Sequence, residues 1–330
     1  MFLVTGGAGF FGMHMCKALL EAGEDVLAIG TTPFTPAEES YFTPREKERL
    51  QFMKCDISDA DAVRTVIESS SISVIIHAAV ITVLGEAEVG LERRMTEVNA
   101  IGTLNLLEAA RESGAKRFVF ISSSGLYGSH GQGIAPVHET TPVYPGGTSV
   151  YRTCKVYSEM MCQNFHSHGA LEVAIARIGS PYGPWEQPTR SRTGTSPIYA
   201  LLRLALANVP LRIYGRDSLR DWTHMRDIAR AVLLLSTSDT TRLRHVIYNV
   251  TNGTTTSIEH IMQTMARLIP GLEWCFVDER ESSNVTVQMS NPRGPLDISR
   301  LRQDLGYEPT YYIDRGLADY VSWARETGWQ

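Results

Sequence analysis

The opening of the chain constrains its fold more than any other stretch. An apolar run, Phe2-Leu3-Val4-Thr5, leads without a spacer into Gly6-Gly7-Ala8-Gly9-Phe10-Phe11-Gly12, and a helix is expected over about 11–21. Strand, glycine turn and helix in immediate succession are the context that a dinucleotide fingerprint requires. Gly6 permits the tight turn out of the strand, Gly9 lets backbone approach a pyrophosphate, and Gly12 allows the helix to lie close to the sheet. N–H groups unpaired at the helix start, those of Phe10 and Phe11, then face the phosphates. The spacing is G-x-x-G-x-x-G rather than G-x-G-x-x-G.

The alternation continues beyond this unit. Strands are expected at 26–29, 50–54, 74–76, 117–121 and 173–176, with a long amphipathic helix over about 91–113 and another from Ser149. Alternating βα units imply a parallel sheet with helices on both faces, binding ligands at the carboxyl ends of its strands. From Ser180 onward Pro181, Pro184, Pro188 and Pro197 break the rhythm. The expected fold class is therefore α/β: a Rossmann-type doubly wound parallel sheet over 1–180, with a return around 226–250. A smaller mixed α/β substrate-binding lobe occupies most of 181–330.

Hydrophobic residues at 43% and charged residues at 20% suit an ordinary soluble globular protein. A formal net charge of −5 gives no nucleic-acid footprint. No apolar run approaches the ~20 residues that span a bilayer, and the N-terminus lacks a signal-peptide pattern. Cys16, Cys55, Cys154, Cys162 and Cys275 are odd in number and lack metal-ligand spacing. They read as reduced thiols in a cytoplasmic protein, and no metal site is expected.

Chemistry enters with Tyr151 and Lys155, one helical turn apart and downstream of Ser122-Ser123-Ser124. A phenol ordinarily ionises near pH ~10. An ammonium at i+4 favours the phenolate and lowers that value toward the range of a general acid/base. A serine hydroxyl from another segment could then hold the reacting oxygen of an alcohol or ketone.

Several stretches, taken in order, resemble the extended short-chain dehydrogenase/reductases, the group containing nucleotide-sugar epimerases and dehydratases. They are Thr5 to Gly12, Cys55-Asp56-Ile57, His77-Ala78-Ala79, Val98-Asn99-Ala100-Ile101-Gly102-Thr103, Ser122 to Gly128, Tyr151 to Lys155, and Arg220-Asp221-Trp222. The resemblance implies a cofactor-binding set of Gly6, Gly9, Phe10, Phe11, Gly12, Thr31, Asp56, Ile57, Ala78, Ala79, Ser122, Tyr151, Lys155 and Ile178. Within it, Asp56 would accept from the adenine amino group and Ile57 would pack beside the ring. His77 reads as a structural strand-end residue, and Asn99 as one that orders local backbone. Ser123 corresponds to the catalytic serine, with Ser124 as the competing choice, and acts with Tyr151 and Lys155. Substrate contacts fall to Ser124, Ser180, Arg192 and Arg220. Ser180 stands where many relatives carry asparagine, and Arg220 matches the arginine that holds a diphosphate.

The cofactor is NAD or NADP. No acid follows the second strand at Gly30-Thr31-Thr32 to hold a ribose, and no arginine adjoins it for a 2′-phosphate; NAD is favoured. The implied reaction is 4-epimerisation of a nucleotide sugar, such as a UDP-hexose, through a transient ketone. The alternative is net oxidation or reduction of a sugar acid, lactone or other small hydroxy or keto compound. The intact Ser123, Tyr151 and Lys155 argue against a non-catalytic cofactor-binding protein. The resemblance also implies a homodimer, paired through the 91–113 helix and the helix carrying Tyr151.

Overall fold

Apolar runs bounded by glycine, proline and capping residues set the element order. The computed structural model describes residues 1–83, 85–131, 133, 135–143, 149–169, 171–287 and 294–329. Strands are β1 (Phe2–Thr5), β2 (Val26–Gly30), β3 (Leu50–Lys54), β4 (Val74–His77), β5 (Arg117–Ser123), β6 (Glu172–Ile178), β7 (Ser180–Tyr182), β8 (Leu211–Tyr214), β9 (Leu219–Arg220), β10 (Trp222–His224), β11 (Ile247–Val250), β12 (Thr256–Ser257), β13 (Trp274–Phe276) and β14 (Val285–Thr286). Helices are α1 (Phe10–Glu21), α2 (Pro36–Glu39), α3 (Pro44–Lys47), α4 (Ala60–Glu68), α5 (Glu92–Thr96), α6 (Gly102–Glu112), α7 (Val150–Ser167), α8 (Pro197–Leu206), α9 (Met225–Thr237), α10 (Ile258–Leu268), α11 (Ser299–Leu305) and α12 (Ile313–Thr327).

The main sheet is parallel throughout and ordered β3-β2-β1-β4-β5-β6-β11. Its order reverses between β1 and β4, which opens a crevice at their carboxyl ends. Alternate residues feed two cores. Val119 and Ile121 join the α1 and α9 side, whereas Phe118 and Phe120 join the side that includes Cys162 and Phe165 of α7. Burial on both faces explains why these strands read as continuous apolar runs. A third core, including Leu201, Ile213, Trp222, Ile261 and Leu317, lies in the C-terminal half.

Two local features shape the frame of the site. Between β2 and β3 lie α2 and α3, each opened by a threonine–glutamate capping box, Thr35 with Glu38 and Thr43 with Glu46. The long helix is interrupted by a π-turn at Glu97–Ile101, between α5 and α6. There the Thr103 and Ser158 hydroxyls both donate to the Asn99 carbonyl at 2.9 Å, and the Asn99 amide pairs with the backbone N–H and C=O of Ile81. The π-turn thus ties the helix to the segment that follows β4.

Candidate active site

Two close approaches build the floor of the crevice. Gly6 has φ +68°, and a Cβ there would lie 3.0 Å from Ala79 Cα. A Cβ on Gly12 would come within 2.1 Å of the Gly6 carbonyl oxygen, so α1 touches the turn itself. Gly9 caps α1 without a side-chain bond, and no acid stands in its first turn. The N–H groups around Phe10 and Phe11 are therefore open to an anion and favoured by the helix dipole.

Thr5 locks β1 to the end of β4. Its Oγ1 accepts from the N–H groups of Ala78 and Ala79 at 3.1 and 3.0 Å, and it meets His77 Nδ1 at 2.8 Å. His77 Nε2 meets Thr103 Oγ1 at 3.0 Å. Burial, then the Lys155 charge, pushes His77 down to about 3, so it stays neutral and orders this network.

The serine-bearing end of β5 divides its hydroxyls. Ser122 donates to Glu159 Oε1 at 2.5 Å, and Glu159 forms a buried bidentate pair with Arg177 at 2.9 and 2.7 Å. The even-numbered residues of β5 face the α7 side, so Glu159 of that helix takes the Ser122 hydroxyl. Ser123 is half-buried, accepts from the Gly125 N–H at 3.0 Å, and lies beside Ile178 in register. Ser123 also reaches the Tyr151 phenol, whereas Ser124 is buried.

Tyr151 occupies the first turn of α7, which begins at the Ser149 cap. Buried Glu88 holds that end, accepting from Ser149 Oγ at 2.8 Å and the Val150 N–H at 2.9 Å. Burial pushes the phenol up, against the pull of the Ser123 hydroxyl and then the Arg192 and Arg152 guanidinium groups. In the free chain it thus differs from the expected lowered value. The Lys155 ammonium is buried, donates to the Ile121 carbonyl at 2.5 Å and lies 4.5 Å from the Phe120 ring. Desolvation lowers Lys155 to about 8, against the opposing charge of Glu159.

The remaining candidates spread around the crevice. Asp56 accepts from Ser58 on one oxygen and from Arg94 on the other; burial opposes its charge, but these bonds hold it below the usual carboxylate range. Ile57 is buried, with its side chain against Gly102, so it belongs to the core as well as to the crevice edge. Thr31 is exposed beyond β2. In the C-terminal half Ser180 pairs in register with Trp222, and half-buried Arg220 pairs with Thr256. Arg192, expected at the substrate, has its guanidinium 4.8 Å from the Phe10 ring and pairs with fully buried Glu186 at 2.8 Å. Glu88, Glu159 and Glu186 were missed in the sequence. Only Glu159 left a signal, one helical turn beyond Lys155.

Residues 2–251 match the model of the NAD dependent epimerase/dehydratase family. The chain is 29% identical to the UDP-glucuronate 4-epimerase of Thermodesulfobacterium geofontis, across 98% of this chain and 96% of that protein. It is 27% identical to the dTDP-glucose 4,6-dehydratase of Streptomyces niveus, across 98% and 92% respectively. In fold it is similar to the Thermotoga maritima UDP-glucose 4-epimerase solved with UDP-glucose, with a TM-score of 0.81, 24% identity and 99% of both chains covered. With its glycine turn and its β1/β4 crevice, the chain belongs to the NAD dependent epimerase/dehydratase family.

Proposed function

We propose that the chain is a nucleotide-sugar 4-epimerase that uses NAD and works through a transient ketone. The observation that carries this reading is the convergence of Ser123, Tyr151 and Lys155 at the carboxyl end of β5, beside the β1/β4 crevice. The open first turn of α1 and the closely packed Gly6 and Ala79 suit a dinucleotide diphosphate. A nicotinamide held there would supply reversible hydride chemistry at the sugar carbon.

The chain's own residues handle the proton. Ser123 donates to the reacting oxygen and keeps it near Tyr151, which removes the hydroxyl proton as the carbonyl forms and restores it afterwards. The Ser123 hydroxyl, Arg192 and Arg152 offset burial of the phenol, while Lys155, one helical turn away and charged below about pH 8, donates to the Ile121 carbonyl. Ser124, Ser180 and Arg220 are proposed to contact substrate, and a guanidinium suits the diphosphate of a nucleotide sugar. Elimination of water needs an acid and a base beyond the tyrosine. The strand end continues Ser123-Ser124-Gly125-Leu126 without a carboxylate, which favours epimerisation over dehydration.

We also propose a cytoplasmic homodimer. Among the described residues no helix is long and apolar enough to cross a membrane, and all five cysteines are free. Incubation with UDP-glucose and UDP-glucuronate, followed by NMR of the C4 configuration and absorbance of reduced cofactor, tests the activity. C4 inversion without accumulation of NADH is expected. NADH formed in step with product would replace epimerisation with net oxidation, and loss of water from the sugar would replace it with dehydration.

A further inference from the structure

The segment 185–192 crosses the carboxyl edge of the main sheet above the crevice. It begins at Trp185, a non-glycine residue with φ +68°, whose ring packs 5.6 Å from Tyr41 and 5.3 Å from Trp323. Gln187 donates to Glu38 on α2 at 3.4 Å, on the β2 side of the crevice. The Thr189 and Arg192 backbones then exchange hydrogen bonds at 2.8 and 3.3 Å, closing a tight turn. On the far side, the Thr82 N–H beyond β4 donates to the Ser191 carbonyl at 2.7 Å. The segment is therefore fastened on the β2 side and the β4 side, with β1 and its glycine turn between.

Arg192 is the cation that this segment delivers. Its guanidinium lies 4.8 Å from the Phe10 ring at the first residue of α1, and it is close enough to Tyr151 to favour the phenolate. Nη2 is held by Glu186, whose other bonds come from the Ser196 N–H and hydroxyl at 2.6 and 2.7 Å. Nη1 is buried with no hydrogen-bond partner among the described residues. A buried N–H of a guanidinium without an acceptor is costly, and an anionic oxygen is the acceptor best suited to it.

We propose that 185–192 is a strap over the bound dinucleotide and that Arg192, positioned by Glu186, donates through Nη1 to the cofactor diphosphate opposite the N–H groups of α1. The strap keeps the cofactor in place while the sugar ketone turns, so both hydride transfers use one cofactor molecule. This rests on the crevice being the dinucleotide site.

Calorimetric titration of the cofactor-free full chain with NAD, ADP-ribose and UDP tests the assignment. Arg192→Met should weaken NAD and ADP-ribose about 10- to 100-fold, speed NAD loss on desalting and leave UDP affinity unchanged, while the melting temperature falls because buried Glu186 loses its cation. Arg192→Lys should fall between, and Glu186→Gln should shift both cofactor ligands in the same direction. Unchanged NAD affinity in Arg192→Met, with or without weaker UDP binding, would overturn the clamp. Weaker NAD with unchanged ADP-ribose would place the contact at the nicotinamide and overturn the diphosphate assignment. Failure of the unaltered chain to bind NAD or ADP-ribose would instead overturn the cofactor reading beneath it.

Discussion

At the scale of single residues, Tyr151 and Lys155 respond differently to burial. Tyr151→Phe removes the proposed acid/base while keeping the ring, so turnover should fall about 10²- to 10⁴-fold with NAD affinity retained. Single-turnover assays beside calorimetry check this, and full turnover would remove Tyr151 from its role. Lys155 is held at about 8, below its usual value, because burial disfavours the ammonium. The unfolded chain therefore binds more protons between pH 8 and 10.5, and stability rises with pH across that window. Its contribution is fully present above 10.5 and is lost as pH falls through 8, on the order of 3 kcal/mol. Urea denaturation of the unaltered chain and Lys155→Met at pH 7 and 10 should show their stability gap move in favour of the lysine as pH rises. These two residues were legible because they lie four apart on one helix. The partner of Ser122 was not legible, because Glu159 comes from another element and spacing within β5 does not show it.

At the scale of elements, α7 is fastened to the sheet by buried polar groups as well as by apolar packing. Glu159 links Ser122 at the end of β5 to Arg177 on β6. Glu159→Gln would leave Arg177 with a poorer partner in a buried setting, at a cost of about 3 kcal/mol measured by urea denaturation. Turnover should fall with it, since Ser123 adjoins that strand end. The glycine turn makes a sharper test. Gly12→Ala would force a methyl against the Gly6 carbonyl, so α1 must retreat from the sheet. A loss of about 1–3 kcal/mol in stability, together with weaker NAD binding, is expected. Normal NAD affinity in a stable Gly12→Ala chain would contradict this packing. The strands and α1 were readable from period and glycine spacing, whereas the π-turn was not. It depends on Ser158 and Ile81, which meet Asn99 only after the chain has folded.

At the scale of the whole molecule, apolar side chains stand exposed on and beside α5 to α7, including Val89 at 77%, Met160 at 64% and Ile101 at 43%. Pairing two copies across these helices would cover such side chains, which supports the homodimer proposal. Ile101→Arg combined with Met160→Glu should shift sedimentation from dimer to monomer with the fold intact, and a monomeric unaltered chain would refute the pairing. Sequence by itself determined the α/β alternation, the glycine turn and the tyrosine–lysine pair, because each is encoded by neighbours within a few residues and by fixed helical or strand periods. Only tertiary structure decided which serine faces the tyrosine and which carboxylates anchor the site. It also decided that Arg192 lies against Phe10 at the start of α1. Those contacts join segments far apart in the chain, and their energies come from burial and charge pairing that no local spacing encodes.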